Sequence, residues 1–124
     1  MNMFGITKEI RSILLNSGDI TSIIGDKVFP LIAPENTNGD YIVYQRDGYK
    51  QDYTKMGVAS QSPIVFVTAV SEDYDRSNQL AGIIYETLSG DFKDPDISIS
   101  LEDSTEDFID KKYIQVLDFI ITQK

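Results

Sequence analysis

An α+β fold, with a mostly antiparallel sheet of about four strands and two main helices packed on it, is predicted by three observations. The first is the apolar run Ile64-Val65-Phe66-Val67-Thr68-Ala69-Val70, short, β-branched and preceded by Pro63, which reads as a central strand buried on both faces. The second is the segment Tyr74 to Ser89 directly after it, where Leu80, Ala81, Ile84 and Leu88 recur at helical spacing and form one apolar stripe. The third is the order of the remaining patterns, which gives helix, strand, strand, helix, strand, strand along the chain. Phe66, Val67, Leu80, Ile84 and Leu117 are the expected core. Burial of such side chains contributes roughly 1.5–3 kcal/mol each.

Each element has its own justification. Ile6, Ile10, Ile13 and Leu14 share one face of a first helix, with Lys8, Glu9, Arg11 and Ser12 mostly on the other. Gly18 is suited to close that helix, and Asp19 to cap a second short turn, Ile20 to Ile24, ended by Gly25. Lys27-Val28-Phe29 can extend, but Pro30 and Pro34 lack a ladder donor and confine it to a sheet edge. After the turn cluster Glu35 to Asp40, Tyr41 to Arg46 reads as a strand antiparallel to the centre. The polar stretch Asp47 to Gln61 between them is either a long binding loop or a protruding ribbon. Ser71 and Asp73 are placed to cap the main helix, and Gly90 to end it. Asp91 to Asp96 reads as a connection. Ile97 to Leu101 alternates as a half-buried strand, Glu102 to Asp107 is an acidic break, and Tyr113 to Ile121 is the last strand, paired with Ile97 to Leu101 and with the centre.

At 124 residues the chain is expected to form one domain, 1–124. Eleven Lys and Arg against twenty Asp and Glu give a net charge of −9, which argues against sequence-independent DNA binding. Without Cys or His there are no disulfides, thiolate nucleophiles, Ser-His-Asp triads or Cys/His zinc sites. With no signal-peptide pattern and no long apolar run, the sequence is expected to belong to a soluble cytoplasmic protein. Carboxylate pairs such as Asp94 with Asp96 and Glu106 with Asp107 fall in polar turns that would raise no pKa, so acid–base catalysis is not expected from them. Aligning Gly39 with the glycine of a calcium loop puts Pro34 and Gln45 at the first and last ligand positions, where Asp and Glu are needed. No phosphate-binding glycine motif occurs. No metal or cofactor is expected.

The segment Arg46 to Met56 is more informative, because it interleaves Tyr49, Tyr53 and Met56 with Arg46, Lys50 and Lys55. Aromatics and Met favour protein contacts. The competing readings are a stacking platform for single-stranded nucleic acid, disfavoured by the net charge, and a plain solvated loop. Its counterpart is the acidic set Glu102, Asp103, Glu106 and Asp107. Such segregation suits a head-to-tail contact between copies, with Arg46, Tyr49, Lys50, Tyr53, Lys55 and Met56 on one side and the four acids on the other.

The stretch Asp19 to Gln45 carries a resemblance. It contains Gly25-Asp26-Lys27-Val28-Phe29-Pro30, then Ala33-Pro34, then Tyr41-Ile42-Val43-Tyr44-Gln45, followed by a central strand, a long helix and a last β segment. In this it resembles the tail-terminator, or tail-completion, proteins of long-tailed bacteriophages and prophages. It departs from their pattern at Asp40, where they commonly have proline, and in the acidic Glu102 to Asp107 insertion. The resemblance implies a non-enzymatic α+β virion protein that forms a homo-oligomeric ring, a hexamer, on the end of the tail tube and contributes to the surface that meets the head connector. It implies tail tube and head-completion proteins as partners, DNA only passing through the lumen, no membrane, and a location in the host cytoplasm during assembly and in the virion tail afterwards. The alternatives are a non-enzymatic protein-binding adaptor and, more remotely, a small carboxylate-dependent hydrolase.

Overall fold

The computed structural model describes residues 4–54, 57–93 and 95–123, and within 47–61 the description is of the backbone. Among these residues the order is α1 (Ile6–Leu15), α2 (Gly18–Ile24), β1 (Val28–Pro30), β2 (Tyr41–Thr54), β3 (Gly57–Ser71), α3 (Tyr74–Leu88), β4 (Gly90–Phe92), β5 (Ile97–Ile109) and β6 (Lys112–Gln123). The strands form one mixed sheet in the order β1-β2-β3-β6-β5-β4. Only β1 and β2 pair in parallel. The α+β class is as expected, but six strands and three helices replace about four and two.

The three helices lie on one face, with α3 across β3 and β6, and α1 against β1 and β2. That placement corrects the reading of the central strand. Val65, Val67 and Ala69 point to the helices and are buried, whereas Ile64, Phe66 and Thr68 alternate to the other face and are half-buried. Phe66 is therefore not a core residue, and Val67, Leu80, Ile84 and Leu117 are. Ile42, Ile97, Ile99, Phe119 and Ile121 complete the inner layer of the sheet, and Ile6, Ile10, Leu14, Ile20 and Ile24 fill the helix side.

Local chemistry sets the helix ends. Ser17, not Asp19, caps α2: its Oγ accepts from Ile20 N, and Gly18 is the first residue of α2 and does not close α1. Gly25 at φ +65° then ends α2. Asp73 caps α3 by accepting from Arg76 N at 2.9 Å, and Ser71 Oγ accepts from Asp73 N at 3.1 Å. The main helix closes on Ser89 in an extended conformation, and Gly90, at φ +129°, does not end it but opens β4, which runs into the stretch Asp91 to Asp96 read as a connection. Because β1 and β2 are parallel, the chain must cross over between them, and residues 31–40 do so without a helix. Their path crosses the outer face, where this segment and Tyr41, Thr68, Val70 and Ile114 line an open groove of about 430 Å³.

Candidate assembly surfaces

Two hairpins run on past the apolar core. In the first, β2 and β3 pair from Tyr41↔Val70 to Thr54↔Gly57, so most of the polar stretch 47–61 is a ribbon and not an open loop. A bulge between Arg46 and Gly48 marks its root, and β6 pairs with β3 only from Ile64 onward. A bulge adds local twist, which suits an arm that leaves the sheet at that point. Tyr49, Lys50 and Tyr53 belong to this arm, opposite Pro63, Ser62 and Val58 in register. Lys55 and Met56 lie outside the described residues. Arg46 stays at the root, its guanidinium 4.5 Å from the ring centroid of Phe4, a cation–π contact that ties the start of the arm to the approach to α1.

The second hairpin corrects the reading of Glu102 to Asp107 as a break. Apart from Glu102, which sits at a bulge between Leu101 and Asp103, these residues pair with β6, from Asp103↔Asp118 to Asp107↔Ile114. Asp110 and Lys111 close the hairpin at φ +52° and +65°, the conformation of a tight two-residue turn. Glu102, Asp103 and Asp107 are exposed. Asp103 and Asp107 each accept a hydrogen bond from the next backbone N–H at 2.8 Å. Glu106 is engaged within the chain. Its carboxylate accepts from Tyr74 Oη at 3.0 Å and from Gln115 Nε2 at 3.1 Å. The same Nε2 donates to Ser77 Oγ at 3.2 Å, whose hydroxyl donates to Tyr74 O at 2.7 Å. Ser77 and Gln115 are buried, so this network satisfies polar groups that would otherwise be costly. Tyr113 packs between Tyr74 and Phe108, with centroids at 5.5 and 4.7 Å.

Within one chain the two candidate sets do not meet. The first arm extends beyond the Ile64↔Ile120 end of the central pair, and the turn of the acidic hairpin lies beyond the Ser71↔Tyr113 end, with β6 between β3 and β5. The far edge of β5 is covered by β4 only along Ile97–Ile99. Edge charges such as Glu102 and Asp107 discourage unwanted strand pairing there.

Two features were not visible in the sequence. Asp40, at the position where the resemblance has proline, is buried and accepts from Ser71 Oγ at 2.8 Å, with Arg76 Nη2 at 3.3 Å. It fastens the end of the crossover to the junction of β3 and α3. Leu31, directly after β1, holds φ +64°, a conformation that costs a bulky residue roughly 1–3 kcal/mol. Its N–H donates to Tyr44 O at 2.9 Å and that of Ile32 to Pro30 O at 2.7 Å, which fixes the bend. The side chains so displayed are 66% and 80% exposed. Among the described residues, no group of three or more acidic, His or Cys side chains is placed to hold a metal ion.

No family model matches the chain. No curated protein matches it in sequence. Among solved structures it is similar to a chain of the structure entitled "Virion of native gene transfer agent (GTA) particle", with a TM-score of 0.75 over 93% of this chain and 92% of that chain, at 10% sequence identity. At that identity the likeness is one of fold, and it extends over nearly the whole of both chains.

Proposed function

We propose that the chain is a virion structural protein, a tail terminator that assembles as a ring on the end of a tail tube and offers its other surface to the head connector. The observation that carries this reading is the likeness of fold, over more than nine-tenths of both chains, to a chain from a gene transfer agent virion. The motif order from Gly25 to Gln45 agrees with it. The protein works by shape, without catalysis. In a head-to-tail ring each subunit gives one surface and receives another, and closure needs only a rotation that returns to the start. The first arm, with Tyr49, Lys50, Tyr53, Lys55 and Met56, reaches toward the exposed acids Glu102, Asp103 and Asp107 of the next subunit. Aromatic side chains anchor such a contact, and the charges set orientation and encounter rate. Acidic surface that faces the lumen lets DNA pass without holding its phosphates.

The test is assembly. Light scattering at rising protein concentration, and electron microscopy after mixing with isolated tail tubes, should show rings that cap the tubes and stop their growth. Lys50→Glu with Lys55→Glu should weaken assembly most at low salt, where exposed charges act over the longest range. A wild-type protein that stays monomeric in both settings rules the ring out.

A further inference from the structure

The pairing register fixes which way each backbone group of β5 turns. Ile42 N–H donates to Lys27 O at 3.0 Å and Leu31 N–H donates to Tyr44 O at 2.9 Å, so over residues 41–45 the even-numbered positions of β2 face β1 and the odd-numbered ones face β3. Antiparallel partners exchange both bonds at alternate pairs. Those pairs are therefore Tyr41↔Val70 and Val43↔Thr68, then Val67↔Leu117 and Ala69↔Gln115, then Asp103↔Asp118, Thr105↔Val116 and Asp107↔Ile114. Ser104, Glu106 and Phe108 lie between, so their N–H and C=O groups turn away from β6, and among the described residues β4 covers β5 only along residues 97–99. Two of these three outward donors are already taken: Asp103 Oδ1 accepts from Ser104 N–H and Asp107 Oδ1 from Phe108 N–H, each at 2.8 Å. We propose that Asp103 and Asp107 are self-caps that shut the β5 edge against strand addition by a second copy of the chain. The proposal holds for a monomer and for a ring alike.

The chemistry follows from residue type and spacing. Successive strand residues alternate in direction, so two aspartates four apart both precede a residue whose N–H faces outward, and the short Asp side chain reaches back to that N–H. A bond to a carboxylate is roughly twice as strong as one between neutral groups. An incoming strand would have to replace two such bonds with ordinary ladder bonds, and it would gain nothing at either position. Glu106 follows Thr105 and has no aspartate before it, but one open donor between two closed ones does not make a ladder. The opposite end of the sheet is blunted by other means: β1 is three residues long and ends in Pro30, which has no N–H to offer. The acidic stretch of β5 is longer and holds no proline, so its donors need closing one by one. This is a different device from mutual repulsion of edge charges, because it depends on the acceptor oxygen as well as on the charge.

The experiment compares two full-length double variants that lose the same two charges. Asp103→Ala with Asp107→Ala removes the caps, whereas Asp103→Asn with Asp107→Asn keeps a side-chain oxygen at the same reach. By light scattering across a concentration series, the alanine variant should build species larger than the wild-type assembly at concentrations about tenfold lower than the asparagine variant needs, the ratio that corresponds to roughly one net hydrogen bond. Amide exchange should then slow at Ser104, Glu106 and Phe108 as the alanine variant associates. Equal association of the two variants would assign the protection to charge alone and overturn the caps. So would an alanine variant that keeps the wild-type mass, or one that associates while those three amides exchange as before. The wild type gives a reading that needs no variant to fold: at low concentration the amides of Ser104 and Phe108 should exchange more slowly than that of Glu106, and equal rates at all three overturn the proposal.

Discussion

The two hairpins are built alike and held differently. Each runs past the buried core, and each carries charged residues over the added length. The acidic one lies along β6, and β6 has β3 on its other side, so some of its residues find partners: Glu106 meets Tyr74 and Gln115, and the Phe108 ring packs at a tilt against Tyr113. The β2–β3 arm leaves the sheet after a bulge and continues where β6 no longer follows, so that among the described strand pairs its ladder has no third strand beside it. A two-stranded ribbon in water is marginal by itself. The difference separates a surface fixed by the core from one that is free to reach a partner.

The largest effect is expected where both hairpins share a foundation. Ile84 is fully buried on α3, the helix that crosses β3 and β6. Ile84→Ala should cost about 2–5 kcal/mol, read from equilibrium urea unfolding. A loss below about 1 kcal/mol would place Ile84 outside the load that the two hairpins have in common.

The part of the fold on which that prediction rests is also the part the sequence displays. The Ile6, Ile10, Leu14 face, the Leu80, Ile84, Leu88 stripe and the alternation of β6 are written in apolar spacing, because burial on one side imposes a period. The hairpin extensions are not, since a backbone ladder forms regardless of side chain and an exposed ribbon needs no apolar pattern. Phe66 misleads for a related reason: an unbroken apolar run does not reveal that the three described helices lie on one face. A three-residue strand such as β4 is too short to show a period at all. Of the candidate surface, composition marked the two charged sets, but the roles of Glu106 and Asp40 depend on contacts 32 and 31 residues away in sequence. The bend at Leu31 leaves no signal, because leucine is an unexpected residue at positive φ.

A smaller effect sharpens the contrast from the acidic side. Gln115 Nε2 donates to both Ser77 and Glu106, so Gln115→Ala leaves a buried hydroxyl and a carboxylate each short of a donor. The expected cost is about 1–3 kcal/mol. Amide exchange should quicken across residues 103–109 and leave the β2–β3 arm unchanged. Equal quickening in both would mean that the hairpins are one cooperative unit and that the contrast drawn between them is false.

The smallest effect on stability should come from removing the far part of the free arm. Replacing residues 52–60 with Asn-Gly keeps the Gln51↔Gln61 pair and closes it with a turn suited to a two-residue hairpin. Beyond that pair the arm rests on no third strand, so the shortened chain gives up ribbon hydrogen bonds that exchange readily with water, and it gains from a tighter closure. These terms are small and opposed, and the unfolding free energy should change by less than about 1 kcal/mol. Assembly should respond quite differently, since the excision removes Tyr53, Lys55 and Met56 from the proposed contact, and rings should fail to form while the monomer remains fully folded. A shortened protein that loses several kcal/mol would show the arm to be part of the fold's support. One that keeps both its stability and its rings would show that the ring contact lies on another surface of the subunit.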